Sequence, residues 1–146
     1  MNGKAGEAIG KGPVVVNAAR HCLDIRRVAG SFAVTRLAAD AAIPEWAMLG
    51  KFFSVTRGED ELSVVCDAAS IPEGVRSEAG WACLKIEGPF DFGQTGILES
   101  VTGPLAEAGV PIFAVSTFDT DYILVKEATL ERACGALETA GHRMKR

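Results

Sequence analysis

Apolar and polar positions are most regularly spaced in the second half of the chain. "WACLKIEG" (81–88) is a dense apolar run ending in the break Gly88-Pro89, which predicts a strand followed by a loop. In "GILESVTGPLAEAG" (96–109) Ile97, Leu98, Val101, Leu105 and Ala108 recur at helical spacing and stop at Gly109. That predicts a helix capped by Thr95 with Glu99 in its first turn. Pro104 falls inside it, removes a hydrogen bond to the residue four before and predicts a kink. "VPIFAVST" (110–117) and "DYILVK" (121–126) read as strands around a short turn. "TLERACGALETAG" (129–141) reads as an amphipathic helix with Leu130, Ala133, Cys134 and Leu137 on one face, and "HRMK" offers a short last strand. The order β-α-β-β-α-β is the split-βαβ or ferredoxin-like pattern, an α+β fold.

The first half is looser. "HCLDIRRVAGSFAVTRLAA" predicts two strands broken near Gly30-Ser31. "IPEWAMLG" (43–50) predicts a short helix with Pro44 in its first turn. "KFFSVTRGEDELSVVCDA" (51–68) predicts a hairpin turning at "RGED", and "SIPEGVRSEAG" (70–80) a linker.

The halves echo each other. "FFSVTRGEDELSVV" (52–65) aligns with "IFAVSTFDTDYILV" (112–125) at an offset of 60, pairing Phe53 with Phe113 and Glu61 with Asp121. "CLDI" (22–25) matches "CLKI" (83–86) at 61. Two ordered matches at nearly one offset predict a duplication, whose copies pack about a pseudo-two-fold axis with a groove where they meet.

With 146 residues, 48% of them hydrophobic, the chain fits one ordinary domain or two very small units around a shared core. No apolar run reaches the roughly 20 residues that span a bilayer, so no membrane partner is expected. "MNGKAGEAIGKG" (1–12) has no long apolar stretch of a signal peptide and reads as a flexible N-terminal tail. A net charge of −4 with scattered Lys and Arg points away from nucleic acid. The four cysteines, Cys22, Cys66, Cys83 and Cys134, form no CxxC unit, and with two histidines they do not make a zinc site. Reduced thiols are expected, and with them a cytoplasmic location.

The chemistry concentrates in "STFDTDYILV" (116–125) and "EGPFDFGQTGILES" (87–100). No nucleophile elbow, Walker loop or HExxH occurs, and His21 and His142, outside any motif, read as surface or capping residues. Asp119, Asp121 and Glu99 offer oxygen ligands to a divalent cation, but "DTD" lacks the spacing of a calcium loop and Asp119 reads as a turn former. The second stretch is a glycine-containing loop that opens a helix, where backbone N–H groups favour a carboxylate or phosphate. A helix N-terminus for a carboxylate and an acidic residue for an ammonium or guanidinium together suit a free amino acid.

The run "GPFDFGQTGILESVTGPLAEAGVPIFAVSTFDTDYILVKEATLERA" resembles the ACT domains of bacterial aspartate kinases and of CASTOR-type arginine sensors. With the upstream "FFSVTRGEDELSVVC", the resemblance to small stand-alone ACT proteins covers about residues 20–141. It implies a ferredoxin-like βαββαβ ACT fold in two tandem units with antiparallel sheets, a degenerate ACT-like unit at 13–78 and an ACT domain at 79–146. It further implies a non-enzymatic regulatory protein without a cofactor, a homodimer that binds an amino acid, arginine or another, between units and modulates a protein partner. No kinase domain is attached, which points away from regulation of a fused enzyme. Carried over by position, Gly96 and Ile97 offer backbone contacts and Glu99 a carboxylate, Thr117 and Phe118 line the wall, and Asp121 faces a cationic group. Two alternatives stand beside this reading: an interaction module with a vestigial pocket, and a small metal-dependent enzyme using Asp119, Asp121 and Glu99.

Overall fold

Two long strands, β1 (Asp24–Leu37) and β4 (Ser77–Ile86), run antiparallel through the middle of a seven-stranded sheet. The computed structural model describes residues 21–145, so the tail expected at 1–12 lies outside the described residues. The remaining strands are β2 (Ser54–Arg57), β3 (Leu62–Asp67), β5 (Ile112–Ser116), β6 (Asp121–Lys126) and β7 (Arg143–Lys145), with helices α1 (Ile97–Glu107) and α2 (Leu130–Thr139). The strand order is β2-β3-β1-β4-β6-β5, and β7 joins β1. Every pairing is antiparallel except β1 with β7.

A single ferredoxin-like sheet places its fourth strand beside its first. Here β1 takes that place beside β4 for the second half, and β4 takes it beside β1 for the first. The halves therefore interlock, and β7 is displaced to the far edge of β1, where it pairs with Asp24–Arg26 just before β3 takes over at Phe32.

β1 is one strand rather than the expected two. Register shifts between Val28 and Phe32 and between Phe32 and Val34 absorb the irregularity, and Gly30, at φ 112°, supplies a conformation that side chains disfavour. "IPEWAMLG" contributes one 3-10 turn, Glu45–Met48, instead of a full helix. Residues 77–80 of the expected linker belong to β4.

The pairings also correct the echo between halves. Ser54 faces Val65 as Phe113 faces Leu124, each partner displaced by 59 positions, not 60. The turns agree: Gly58 N–H donates to Glu61 O at 2.9 Å, and Thr117 N–H to Thr120 O at 2.8 Å, again 59 apart. Phe32 faces Asp67 as Trp81 faces Lys126, so β1 and β4 correspond at an offset of 49. Cys83 thus corresponds to Val34, while "CLDI" and "CLKI" lie on neighbouring strands, with Ile25 opposite Ile86. The offset grows by ten because the second half inserts a longer loop and a full helix between its first two strands. Phe32 and Trp81 face each other across the centre of this relation.

One sheet face packs Ile25, Leu84, Ile86 and Ile123 against Val101 and Leu105 of α1 and Ala133 and Leu137 of α2. The other face gathers Phe32, Val65, Trp81, Cys83 and Leu124, with Phe52 stacked on Tyr122 at 4.4 Å. Ile123, Leu124 and Val125 are buried in sequence because both faces of β6 are covered, which explains the unbroken apolar run. Burial pushes the Cys83 thiol up to about 12 and also raises that of Cys66, so both are unreactive thiols of the interior.

α1 runs through Pro104 without interruption. A proline at this position leaves the carbonyl of Ser100 without its N–H donor. His142 supplies one: its Nε2 lies 2.7 Å from Ser100 O, while Nδ1 accepts the Leu23 N–H at 3.1 Å. His142 is 4% exposed, an internal bracket between α1, the start of β1 and the end of α2, not the surface or capping residue expected.

Candidate functional site

The loop 87–96 and the β5–β6 hairpin are stapled together. Phe90 N–H donates to Asp119 O at 3.0 Å, and the buried hydroxyl of Thr120 donates to Ile86 O. A Cβ at Gly88 would stand 2.7 Å from Asp119 O, so the approach of the two backbones requires glycine there. Thr117 closes the turn, its Oγ1 donating to Thr120 O at 3.0 Å. Inside the loop, Gln94 N–H donates to Asp91 O and Gln94 Oε1 accepts the Asp91 N–H, forming a small self-contained turn.

A groove of about 220 Å³ opens between these segments. Its polar wall carries Asp91, Asp119 and Asp121, with Gln94, Ser116 and Thr117, and no Lys or Arg lines it. None of the three aspartates has an ion pair among the described residues. Ser116 Oγ donates to Asp121 Oδ1 at 2.5 Å, which fixes that carboxylate at the start of β6. At the rim, Phe92 and Phe118 meet edge to face with centroids 4.9 Å apart, each 77% exposed. Two large aromatic rings this open to water are an uncovered apolar patch.

Of the residues expected at the site, Ile97, Thr117, Phe118 and Asp121 line this groove together. Gly96 and Glu99 do not. Gly96 is the N-cap of α1 at φ 81°, with no side-chain cap, which replaces the expected cap at Thr95. It lies beside the His21 ring, whose Nε2 is 3.1 Å from Thr95 O. Glu99 is exposed on the first turn of α1. The cation alternative that joined Asp119, Asp121 and Glu99 finds no shared site, and among the described residues no three His, Cys, Asp or Glu side chains group as ligands. Phe90, Asp91, Phe92 and Gln94 extend the groove beyond the sequence reading, and Asp119 lines it as well as turning the chain. The signal for them was "PFDF", two aromatics and an acid immediately after Gly88.

α1 begins beside the groove, since its first residue, Ile97, lines it. Ser100 secures its first turn, donating from Oγ to Gly96 O at 2.6 Å and accepting His21 N–H at 3.2 Å. The start of α1, the hairpin and the loop thus border one groove.

The sequence model of the ACT domain matches residues 76–139, and a second model, of an N-terminal domain, matches 30–74. The cytosolic arginine sensor for mTORC1 subunit 1 of Bos taurus is 35% identical over 91 residues, which cover 55% of this chain and 28% of the sensor. The chain therefore spans less than a third of that relative. The crystal structure of an Agrobacterium tumefaciens protein is similar at 46% identity and a TM-score of 0.82, over 86% of this chain and 93% of that one. The regulatory subunit of aspartate kinase from Thermus flavus shares the fold at 9% identity and a TM-score of 0.56, over 80% and 95% of the two chains. With the matched model and the sheet order in agreement, residues 76–139 of this chain are an ACT domain.

Proposed function

We propose that this protein binds a free amino acid with a cationic side chain, arginine or another, in the groove between the 87–96 loop and the β5–β6 hairpin, and that binding regulates a protein partner. The observation that carries this reading is the gathering of Asp91, Asp119 and Asp121 in one groove with no basic residue in its lining. A cationic head group suits a wall whose charged side chains are all acidic, with Asp121 as its main partner. The ligand carboxylate meets the backbone N–H of Ile97, where α1 begins and the helix dipole favours negative charge, while Gly96 and Glu99 stand outside the lining. Thr117 and Phe118 form the wall that separates these two poles.

The role is non-enzymatic in this reading. His142 has both ring nitrogens committed and His21 rests on a backbone carbonyl, which leaves the groove without a base paired to a nucleophile. Phe92 and Phe118 stand at the rim, and a second copy of the chain is the natural cover, giving a homodimer with ligand at the interface between units. The cysteines, none of them in a disulfide, suit a reducing cytoplasm.

A thermal-shift screen of the free amino acids tests the reading. A ligand at 100 times its Kd stabilises the native state by about 2.7 kcal/mol, a shift of several degrees. Arginine or lysine is expected to raise the Tm, and no shift with any amino acid at millimolar concentration contradicts it. In that case the fold serves as an interaction module with a vestigial pocket.

A further inference from the structure

Corresponding positions in the two hairpins hold different charges. Ser116 of β5 corresponds to Arg57 of β2, and Asp121 of β6 to Leu62 of β3, each pair 59 positions apart. Arg57 folds back onto the loop that follows β1. Its Nη1 donates to Ala39 O and its Nη2 to Ala41 O, the latter at 2.7 Å. This loop, 38–44, holds the place that 87–96 holds in the second half, between the first strand and the helical turn. The hairpin carbonyls correspond as well. Asp119 O accepts the Phe90 N–H, whereas Asp60 O, 59 positions earlier, accepts Arg36 Nη2 at 2.9 Å.

We infer that Arg57 is an internal occupant of the first half's counterpart of the groove. The first half retains a guanidinium-accepting site and fills it with the chain's own side chain, so each chain offers one site to free ligand instead of two. The planar fork of a guanidinium presents N–H groups on two separate nitrogens in one plane, which suits the carbonyls of residues 39 and 41; an ammonium must serve both from a single nitrogen. Tethering adds to this. A side chain held by its own strand acts at an effective concentration of millimolar or above, so a free amino acid does not displace it.

Chemical rescue tests this independently of the proposed amino-acid site. Arg57→Ala is expected to melt a few degrees below wild type. Methylguanidinium at tens of millimolar should then restore at least half of the lost Tm, and methylammonium at the same ionic strength should not. Repeating the rescue in Arg57→Ala/Asp121→Ala separates the two halves, because rescue that survives the second change belongs to the first half. The wild-type protein treated with the same salts reads the second-half groove alone, so the two readings can fail separately. Should Arg57→Ala not fold, Arg57→Thr, which keeps a strand-favouring side chain but leaves the carbonyls of residues 39 and 41 open, takes its place and is expected to lose stability and be rescued in the same way. The inference is overturned if Arg57→Ala melts with wild type, if both cations rescue equally, or if rescue disappears with Asp121→Ala.

Discussion

His142 Nε2 lies 2.7 Å from the carbonyl of Ser100, the acceptor that Pro104 deprives of its helical donor. The same ring takes the Leu23 N–H on Nδ1. One buried side chain therefore repairs a helix and anchors the entry to β1, forty-two and 119 residues away from its two partners.

His142→Ala leaves a buried N–H and a buried carbonyl unpaired, at a cost of about 2–4 kcal/mol. Pro104→Ala restores an N–H facing Ser100 O, so the cost of losing His142 should fall by about 1 kcal/mol in that background. Urea denaturation of the four proteins of this double-mutant cycle measures the coupling. Strictly additive effects would show that His142 does not serve the carbonyl that Pro104 exposes.

Gly88→Ala forces a methyl group to within 2.7 Å of the Asp119 carbonyl and should break the Phe90 staple. A loss of about 1–3 kcal/mol is expected, with the loop released from the hairpin. Gly93→Ala is the control. A Cβ there meets nothing within 4 Å, and its stability should stay within about 0.5 kcal/mol of wild type. Amide hydrogen exchange at Phe90 should rise in the first variant only.

Asp24 gives the expected pH dependence. The hydrogen bond from Arg143, with Lys145 beside it, holds its carboxyl below the usual value of 3.8. A depressed folded-state pKa contributes stability that is present above 3.8 and lost as the pH falls through the folded value. Asp24→Asn should therefore melt below wild type at neutral pH, and the gap should close in acid. Because the pair is exposed, the gap should also shrink in high salt. A gap unchanged between pH 7 and pH 2 would exclude this ion pair as its source.

Much of the fold was legible from periodicity. "DYILVK" became β6 at its expected bounds, and both long helices fell within their apolar repeats, because a turn or glycine closes each run. Strand neighbours were not legible. Nothing local to "HRMK" says that β1 will take its place beside β4, since that depends on two halves sharing one sheet. The repeat was visible but misaligned by one in the hairpins, because apolar runs match at several offsets and only hydrogen-bond register separates 59 from 60. His142 reads in the sequence as a surface or capping residue for a related reason. Its meaning lies in a proline 38 positions earlier, and the two meet only when α1 packs beside the end of α2. At the groove, Asp121 was legible as one of the acids between two apolar runs, whereas Ile97, Thr117 and Phe118 came by position from the family resemblance. Gly96 and Glu99 came the same way, but the structure leaves both outside the lining of the groove.

Isothermal titration of L-arginine and its neutral isostere L-citrulline into wild type and Asp121→Ala tests the central claim most directly. Asp121 is half-exposed and its neighbour in the groove is Ser116, so the variant should fold with a Tm close to wild type. The account predicts saturable arginine binding to wild type, at least about tenfold weaker binding of citrulline, worth about 1.4 kcal/mol, and no measurable binding to Asp121→Ala. Equal affinity for the two ligands, or arginine binding unchanged by Asp121→Ala, would contradict it.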